Sequence, residues 1–301
     1  MIVRALLLAA CLWACAAASH AVSGASRFCD HQTTLTAAQQ DRLLRFAAIV
    51  RQELADSGHE VALVARSGLD LKRFGVRYSH AGVSLKASSN GPWSVRQLYY
   101  ACDEGRSRLY DQGMAGFLLS TDDPALGYVS IVLLPRSEAA ELERAALDNA
   151  RALRLLAAAY SANAYPFSLR YQNCNQWVAE LLAAAWGELD DGDDLRRRAQ
   201  HWLIDAGYAP RPIRFDSHLL MFAEPFIPLV HIDDHPEEDR YALQFRISMP
   251  ASIEAFVHER VPGAERIELC HDERQVVIRR GWEGMGEGCR AGAGDRVVAF
   301  D

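Results

Sequence analysis

Apolar residues repeat at helical spacing in four stretches of the chain and follow strand patterns in four others. The helical stretches, where apolar positions three and four residues apart share one face, are residues 36–57, 137–162, 174–187 and 193–206. The strand patterns fall in residues 60–66, 78–86, 93–102 and 128–134. Turn residues Ser89-Asn90-Gly91-Pro92 separate the second strand from the third, so these two strands are predicted to form a hairpin.

The chain is less regular after residue 208. Residues 210–236 are rich in Pro and His, and they are followed by strand patterns at 241–248 and 275–280 with one helix, 253–259, between them. This mixture of helices and strands predicts an α+β fold, a small antiparallel sheet flanked by helices. We expect residues 26–208 to form the main α+β domain and residues 209–301 to form a smaller C-terminal α/β appendage packed on it.

The first 25 residues are predicted to be a secretion signal peptide. Arg4 precedes an apolar run from Ala5 to Ala18, and small residues follow in the A-x-A pattern of a cleavage site. The run is shorter than the roughly 20 residues needed to span a bilayer. A lipoprotein signal is an alternative, since small residues also precede Cys11. The sequence therefore predicts a periplasmic or secreted bacterial protein with no transmembrane segment in its mature chain.

Composition supports a globular protein and disfavours nucleic-acid binding. Half of the residues are hydrophobic and 24% are charged, which is ordinary for a chain with a packed core. The net charge is −7, and no basic cluster of the kind that binds phosphates is present in the sequence. No nucleic-acid partner is expected.

Five cysteines follow the predicted signal: Cys29, Cys102, Cys174, Cys270 and Cys289. An exported chain meets an oxidising compartment, where cysteines pair, and an odd number leaves at least one thiol free. We predict the pairs Cys29–Cys102 and Cys270–Cys289, which leave Cys174 unpaired. The alternative is that several of the five are reduced.

Cys174 is the candidate nucleophile. It lies in the segment Asn173-Cys174-Asn175-Gln176-Trp177-Val178, where Asn173 suits an N-cap and Gln176 suits a capping box. Cys174 would then be the first helical residue. The partial positive charge at a helix start stabilises a thiolate, so we expect a lowered thiol pKa.

His80 is the candidate base. It shares one strand face with Gly82, and glycine in a strand often marks the close approach of another backbone. We expect the helix that begins at Cys174 to dock there. Gln97 lies on the neighbouring strand, and its amide oxygen can accept a hydrogen bond from the imidazole and orient it.

This order of parts resembles a known group of proteins. A strand with "SHAGVSL", a polar residue on the next strand and a helix opening with "NCNQWV" resemble the circularly permuted NlpC/P60 branch of the papain-like fold, which includes the lecithin-retinol acyltransferase-like proteins. The resemblance covers roughly residues 60–186. Over a longer span, "RYSHAGVSL", "LYDQGM" and "AYPFSLRYQNCNQWVAELL" resemble the DUF2145 family of uncharacterised bacterial exported proteins.

The papain-like resemblance implies a function as well as a fold. It makes Cys174 the nucleophile, His80 the base and Gln97 the third member, where His, Glu or Asp is more usual. The chain is expected to be an exported cysteine hydrolase or acyltransferase that acts on an amide or peptide linkage of the cell envelope. Tyr78, Tyr171 and Trp177 are the predicted substrate-binding residues. The alternative is a non-catalytic periplasmic binding module that retains the fold.

Two acidic segments raise the hypothesis of a metal site. His231 and His235, with Asp233 and Asp234 between them, carry ligand types that suit zinc. The charged residues that follow favour a solvated loop instead. Residues 190–194 lack the ligand spacing of a calcium loop and are expected to cap the next helix. No metal and no cofactor are predicted.

Overall fold

A computed structural model describes residues 35–300, apart from four side chains in the segment 218–226. The predicted secretion signal lies outside the described residues. Within residues 35–300, no helix combines the length and the apolar character needed to cross a membrane.

An antiparallel sheet of eight strands forms the centre of the molecule, with the strand order β10-β9-β8-β5-β1-β2-β3-β4. Two short strands, β6 and β7, pair separately. In chain order the strands are β1 (Val61–Arg66), β2 (His80–Leu85), β3 (Ser94–Ala101), β4 (Arg106–Gln112), β5 (Gly127–Leu133), β6 (Pro212–Arg214), β7 (Gln244–Arg246), β8 (Glu265–His271), β9 (Gln275–Arg280) and β10 (Arg296–Ala299).

Helices cover both faces of this sheet. They are α1 (Ala37–Asp56), α2 (Met114–Leu119), α3 (Arg136–Leu147), α4 (Asn149–Arg154), α5 (Cys174–Trp186), α6 (Leu195–Asp205), α7 (Glu237–Ala242) and α8 (Pro250–Arg260). Two 3₁₀ segments, Lys72–Phe74 and His218–Phe226, lie in the connections. The predicted α+β class is therefore confirmed.

The sheet separates two apolar layers, which explains why β1 and β2 are buried at every position. Side chains alternate between the two faces of a strand. Leu63 and Val83 join the layer that contains α5, whereas Val64 joins the layer that contains residues of α1 and α2. Both faces of these two strands are thus packed against other parts of the protein, and neither face is exposed to solvent.

Several elements differ from the sequence predictions, and α2, β4, β8 and β10 correspond to no predicted element. The predicted helix 137–162 is interrupted at Asp148, whose carboxylate accepts from the backbone N–H groups of Ala150 and Arg151 and so caps α4. Only Gln244–Arg246 of the predicted strand 241–248 is a strand. β8, which comes from the segment after residue 208, pairs along the whole of β5 and extends the same sheet.

Disulfide bonding agrees with the predicted pattern where it is described. Cys270 and Cys289 are bonded to each other, and Cys174 is a free, buried thiol. Cys102 is also disulfide-bonded. Its predicted partner, Cys29, lies outside the described residues.

Replacing Cys270 and Cys289 together by alanine is expected to lower the free energy of unfolding by about 3 kcal/mol. The bond closes a loop between residues 19 apart, and a cross-link of that length restricts the unfolded chain by about this amount. Urea unfolding under non-reducing conditions measures the change. An unaltered midpoint would show that the bond contributes no stability.

Candidate functional site

The start of α5 is built as the sequence predicts, with one exception. Asn173 is the N-cap, and its side-chain oxygen accepts from the backbone N–H of Gln176 at 2.7 Å. Cys174 is the first helical residue. The Gln176 side chain does not complete a capping box, because its amide donates to the carbonyl of Pro166 and to Glu180.

Asn175 fixes this helix start to β2. Its side-chain oxygen accepts from the backbone N–H of Ala81 at 2.9 Å, and its amide donates to the carbonyl of Ser79 at 3.2 Å. β3 pairs with β2 only from Val83 onward, so the backbone of β2 next to His80 has no strand partner on that side. The Asn175 side chain satisfies those groups instead. Cys174 is therefore held beside the strand segment that carries His80.

Gly82 serves a different purpose from the predicted one. A Cβ atom added there would lie 2.5 Å from Val95 Cγ1 and 2.9 Å from the backbone oxygen of Arg96. Both residues belong to β3. The absence of a side chain at Gly82 therefore allows the close approach of β3, and not of the helix that begins at Cys174. This approach brings Gln97 close to His80.

Replacing Gly82 by alanine is expected to lower the free energy of unfolding by about 1–3 kcal/mol, since the added methyl group forces β3 to move. Gly286→Ala is the matched control, because an added Cβ there meets no atom within 4 Å. Chemical denaturation of both variants measures the difference. Equal stability of the two variants would contradict the close approach.

Three side chains form a chain of hydrogen bonds that orients the imidazole. His80 Nε2 lies 2.6 Å from Gln97 Oε1, and the Gln97 amide donates to Gln112 Oε1 at 2.7 Å. Since the amide nitrogen of Gln97 is committed to Gln112, its oxygen faces His80, and His80 Nε2 carries the proton. The other ring nitrogen, Nδ1, is left as the basic atom. The predicted contact between His80 and Gln97 is present.

Burial determines the protonation states of Cys174 and His80. It raises the pKa of the Cys174 thiol to about 11, although the backbone N–H of Asn175 acts in the opposite direction. Burial also lowers the pKa of His80 to about 3, helped by the charge of Arg66. The expected lowering of the Cys174 pKa is therefore wrong: the helix start does favour the thiolate, but desolvation outweighs it. At neutral pH the site holds a neutral thiol and a neutral imidazole.

Arg66 is a functional candidate that sequence reasoning missed. Its side chain is 5% exposed and donates to the backbone oxygen of Ser120 and to the Tyr99 hydroxyl. It forms no ion pair with any described residue, and its Nε is buried without a hydrogen-bond partner. Its positive charge favours the thiolate of Cys174 and disfavours protonation of His80. A lone arginine after the apolar run "VALVA" was the available signal.

A buried ionic network positions the segment that leads into α5. Glu180 is fully buried and accepts hydrogen bonds from Arg196 and from three glutamine amides, those of Gln172, Gln176 and Gln200. Arg196 also donates to backbone carbonyls at residues 168, 169 and 171. The network therefore ties the approach to Cys174 to α5 and α6.

Cys174 and His80 line one cavity of about 510 Å³, together with Arg66, Tyr99 and Asn175. Tyr160 also lines it, and burial raises the pKa of its hydroxyl, with a smaller contribution from the nearby Cys174. Within the described residues, Cys174 and His80 share no hydrogen bond. Most of the apolar lining of the cavity comes from residues 213–249.

All the residues that line this cavity fall within the part of the chain that matches a known family. Residues 53–257 match the family model DUF2145, described as an uncharacterized protein conserved in bacteria. The chain belongs to the DUF2145 family. No curated protein and no solved structure matches it.

The three predicted substrate-binding aromatics of this DUF2145 protein do not line the cavity. Tyr78 is buried, and its hydroxyl donates to Glu268. Trp177 is a core residue whose ring N–H donates to the carbonyl of Ala152. Tyr171 stacks on His231 with ring centroids 4.5 Å apart. The tyrosines that do line it are Tyr99, Tyr100 and Tyr160.

The His231–His235 segment of the DUF2145 chain is only partly solvated: the Asp233 side chain is exposed, as its charge predicts, but two of its neighbours are not. The side chains of Asp234 and His235 are buried. Asp234 accepts from the backbone N–H of Tyr165, and a His235 ring nitrogen lies 2.7 Å from the carbonyl oxygen of Asn163. Among residues 35–300, no group of three or more His, Cys, Asp or Glu side chains is placed to hold a metal ion.

Alkylation of Cys174 by iodoacetamide is expected to be slow at pH 7 and to accelerate about tenfold per pH unit up to about pH 11. The thiolate is the reactive form, and burial places the pKa of this thiol at about 11. Mass spectrometry of the folded protein at a series of pH values gives the rate. The unfolded protein is the control, with a rate that levels off near the ordinary pKa of about 8.5. A plateau below pH 8 in the folded protein would contradict the raised pKa.

Proposed function

We propose that this DUF2145 protein is an exported cysteine hydrolase or acyltransferase in which Cys174 is the nucleophile and His80 the base. The observation that carries the proposal is the Asn175 side chain, which fixes the first turn of α5 to the backbone on both sides of His80. A free thiol and an oriented imidazole thereby face one cavity. The order of the parts, His strand before Cys helix, supports a permuted papain-like relationship.

The chemistry follows from the protonation of the pair. His80 Nδ1 takes the thiol proton as the sulfur attacks a carbonyl carbon, and the tetrahedral oxygen gains negative charge. Backbone N–H groups at the start of α5 and the Arg66 guanidinium can stabilise that charge. As the intermediate collapses, the bond to the leaving group breaks and His80 returns the proton to that group. Water, or a second acceptor, then cleaves the resulting thioester.

An exported location is part of the proposal. The Cys270–Cys289 disulfide supports an oxidising compartment, and the family is bacterial. An amide or peptide linkage of the cell envelope is a substrate that such a location provides.

A non-catalytic binding module is the second candidate, and the ionisation of the pair favours it. With a Cys174 pKa of about 11 and a His80 pKa of about 3, proton transfer from thiol to imidazole is uphill in the empty cavity. A protein that only binds its ligand requires no such transfer.

Trapping of an acyl-enzyme separates the two candidates. The wild-type protein and Cys174→Ser are incubated with p-nitrophenyl acetate and p-nitrophenyl octanoate, and intact mass and peptide mass spectra are recorded. A covalent acyl group on Cys174 of the folded wild type, formed with stoichiometric release of p-nitrophenol, supports the enzyme. Absence of an adduct at Cys174, together with p-nitrophenol release no faster than that of Cys174→Ser with both esters, refutes it and leaves the binding module.

A further inference from the structure

The cavity beside Cys174 has one long apolar side that the proposed chemistry does not use. Ile213, Phe215, Phe245 and Ile247, on and around the paired strands β6 and β7, face it together with Leu71 and Met221. Most of these side chains also belong to a small apolar cluster that is separate from the two main layers of the sheet. Apart from Leu71, this wall comes from residues 213–249, outside the 60–186 span that resembles papain-like enzymes.

The volume of the cavity suits an extended small molecule. About 510 Å³ lies within the range of roughly 300–1,000 Å³ that is usual for ligand sites lined by apolar side chains with few polar groups. An apolar interior of this size gains binding free energy from each CH₂ group that it removes from water. The apolar lining therefore favours an alkyl chain over a peptide, because a peptide backbone would place several polar groups against apolar side chains.

Arg66 is the buried one among the four Arg, Asp and Glu side chains that line the same cavity. Asp122, another charged residue of the wall, accepts from the backbone N–H of Asp70, and Glu224 lies 3.6 Å from the imidazole of His231. Arg66, by contrast, is almost fully buried, has no carboxylate partner within the described residues, and keeps an unpartnered Nε. A buried cation without a counter-ion is costly, so a ligand that supplies negative charge or a strong acceptor is favoured there.

We infer that the cavity binds a long-chain acyl group, with its carbonyl or carboxylate oxygens at Arg66 and Cys174 and its alkyl chain along the 213–249 wall. This inference rests on the proposed function for the site and specifies the acyl side of the bond that would be cleaved. A free fatty acid has both features, a carboxylate and an alkyl chain, and is the probe of choice.

Binding is measured on the full chain carrying Cys174→Ala, so that no turnover intervenes. Saturated fatty acids from C8 to C18, kept below their micelle concentrations, displace a fluorescent fatty acid. The dissociation constant is expected to fall about three- to fourfold per added CH₂ group until the cavity is filled, and then to level off. The alcohol of equal length is expected to bind at least tenfold more weakly, because it loses the charged contact with Arg66.

Two matched substitutions locate the binding site. Val230→Trp adds bulk to a residue that lines the cavity, so the affinity should level off at a shorter chain length. Leu219→Trp makes the same change at a side chain that is 76% exposed and does not line the cavity, so the chain-length profile should not change. Circular dichroism confirms that each variant is folded.

The outcomes separate this inference from the proposed function. Absence of fatty-acid binding, or an affinity independent of chain length, overturns the inference, even if Cys174 is acylated by the short acetyl ester. An acid and an alcohol of equal affinity would overturn the role of Arg66. Chain-length-dependent binding without any acyl adduct on Cys174 supports the acyl site and refutes the enzyme.

Discussion

Replacing His80 by asparagine is expected to lower the rate of acyl transfer from an aryl ester to Cys174 by about 10²- to 10⁴-fold at pH 7. A positioned base contributes an acceleration of this order. With the Cys174 pKa raised to about 11, almost no thiolate exists at neutral pH without a base. Release of p-nitrophenol in a single turnover measures the rate.

The pH profile of the same variant distinguishes a base from a structural residue. Above about pH 11 the thiol ionises without help, so the difference between wild type and His80→Asn should narrow as the pH approaches that value. His231→Asn is the control, because His231 stacks on Tyr171 and does not line the cavity. If the ratio of the wild-type rate to the His80→Asn rate stays constant from pH 7 to 10, His80 has a structural role and is not the base.

Replacing Glu180 by alanine is expected to lower the free energy of unfolding by about 3–5 kcal/mol. The substitution leaves the Arg196 guanidinium buried without its carboxylate, and an uncompensated buried charge has this order of cost. It also removes the acceptor shared by three glutamine amides. Urea unfolding followed by tryptophan fluorescence gives the value.

Glu141→Ala provides the comparison for Glu180. Glu141 forms an ion pair with Arg144 one turn further along α3, at the surface of the protein. No measurable loss of stability is expected there, since water screens the pair. Equal free energies of unfolding for the Glu180→Ala and Glu141→Ala variants would show that the buried network does not stabilise the fold.

The sequence identified those elements whose ends are marked by helix-capping or turn residues. α1 begins at the predicted position, after Thr36, and Asn173 begins α5 as predicted. The hairpin of β2 and β3 follows from the turn residues between them. The contact between His80 and Gln97 was also predictable, because neighbouring strands bring residues of the same face together.

The remaining features depend on residues far apart in the chain. β4, with the sequence "RSRLYDQ", has no apolar alternation, so only its pairing with β3 makes it a strand. The ionisation of Cys174 was predicted with the wrong sign because burial by distant segments outweighs the helix start. Arg66 and Asn175 act through contacts with the loop at Ser120 and with β2, which no local pattern reveals.

The position of β8 has a consequence for how the chain matures. β5 pairs with β1, which precedes it in the chain, on one side, and with β8, which is synthesised after it, on the other side. Until the C-terminal segment emerges, the backbone of β5 presents an open apolar edge of the kind that adds strands from other molecules. Chains that lack β8 are therefore expected to be more prone to aggregation than the whole chain.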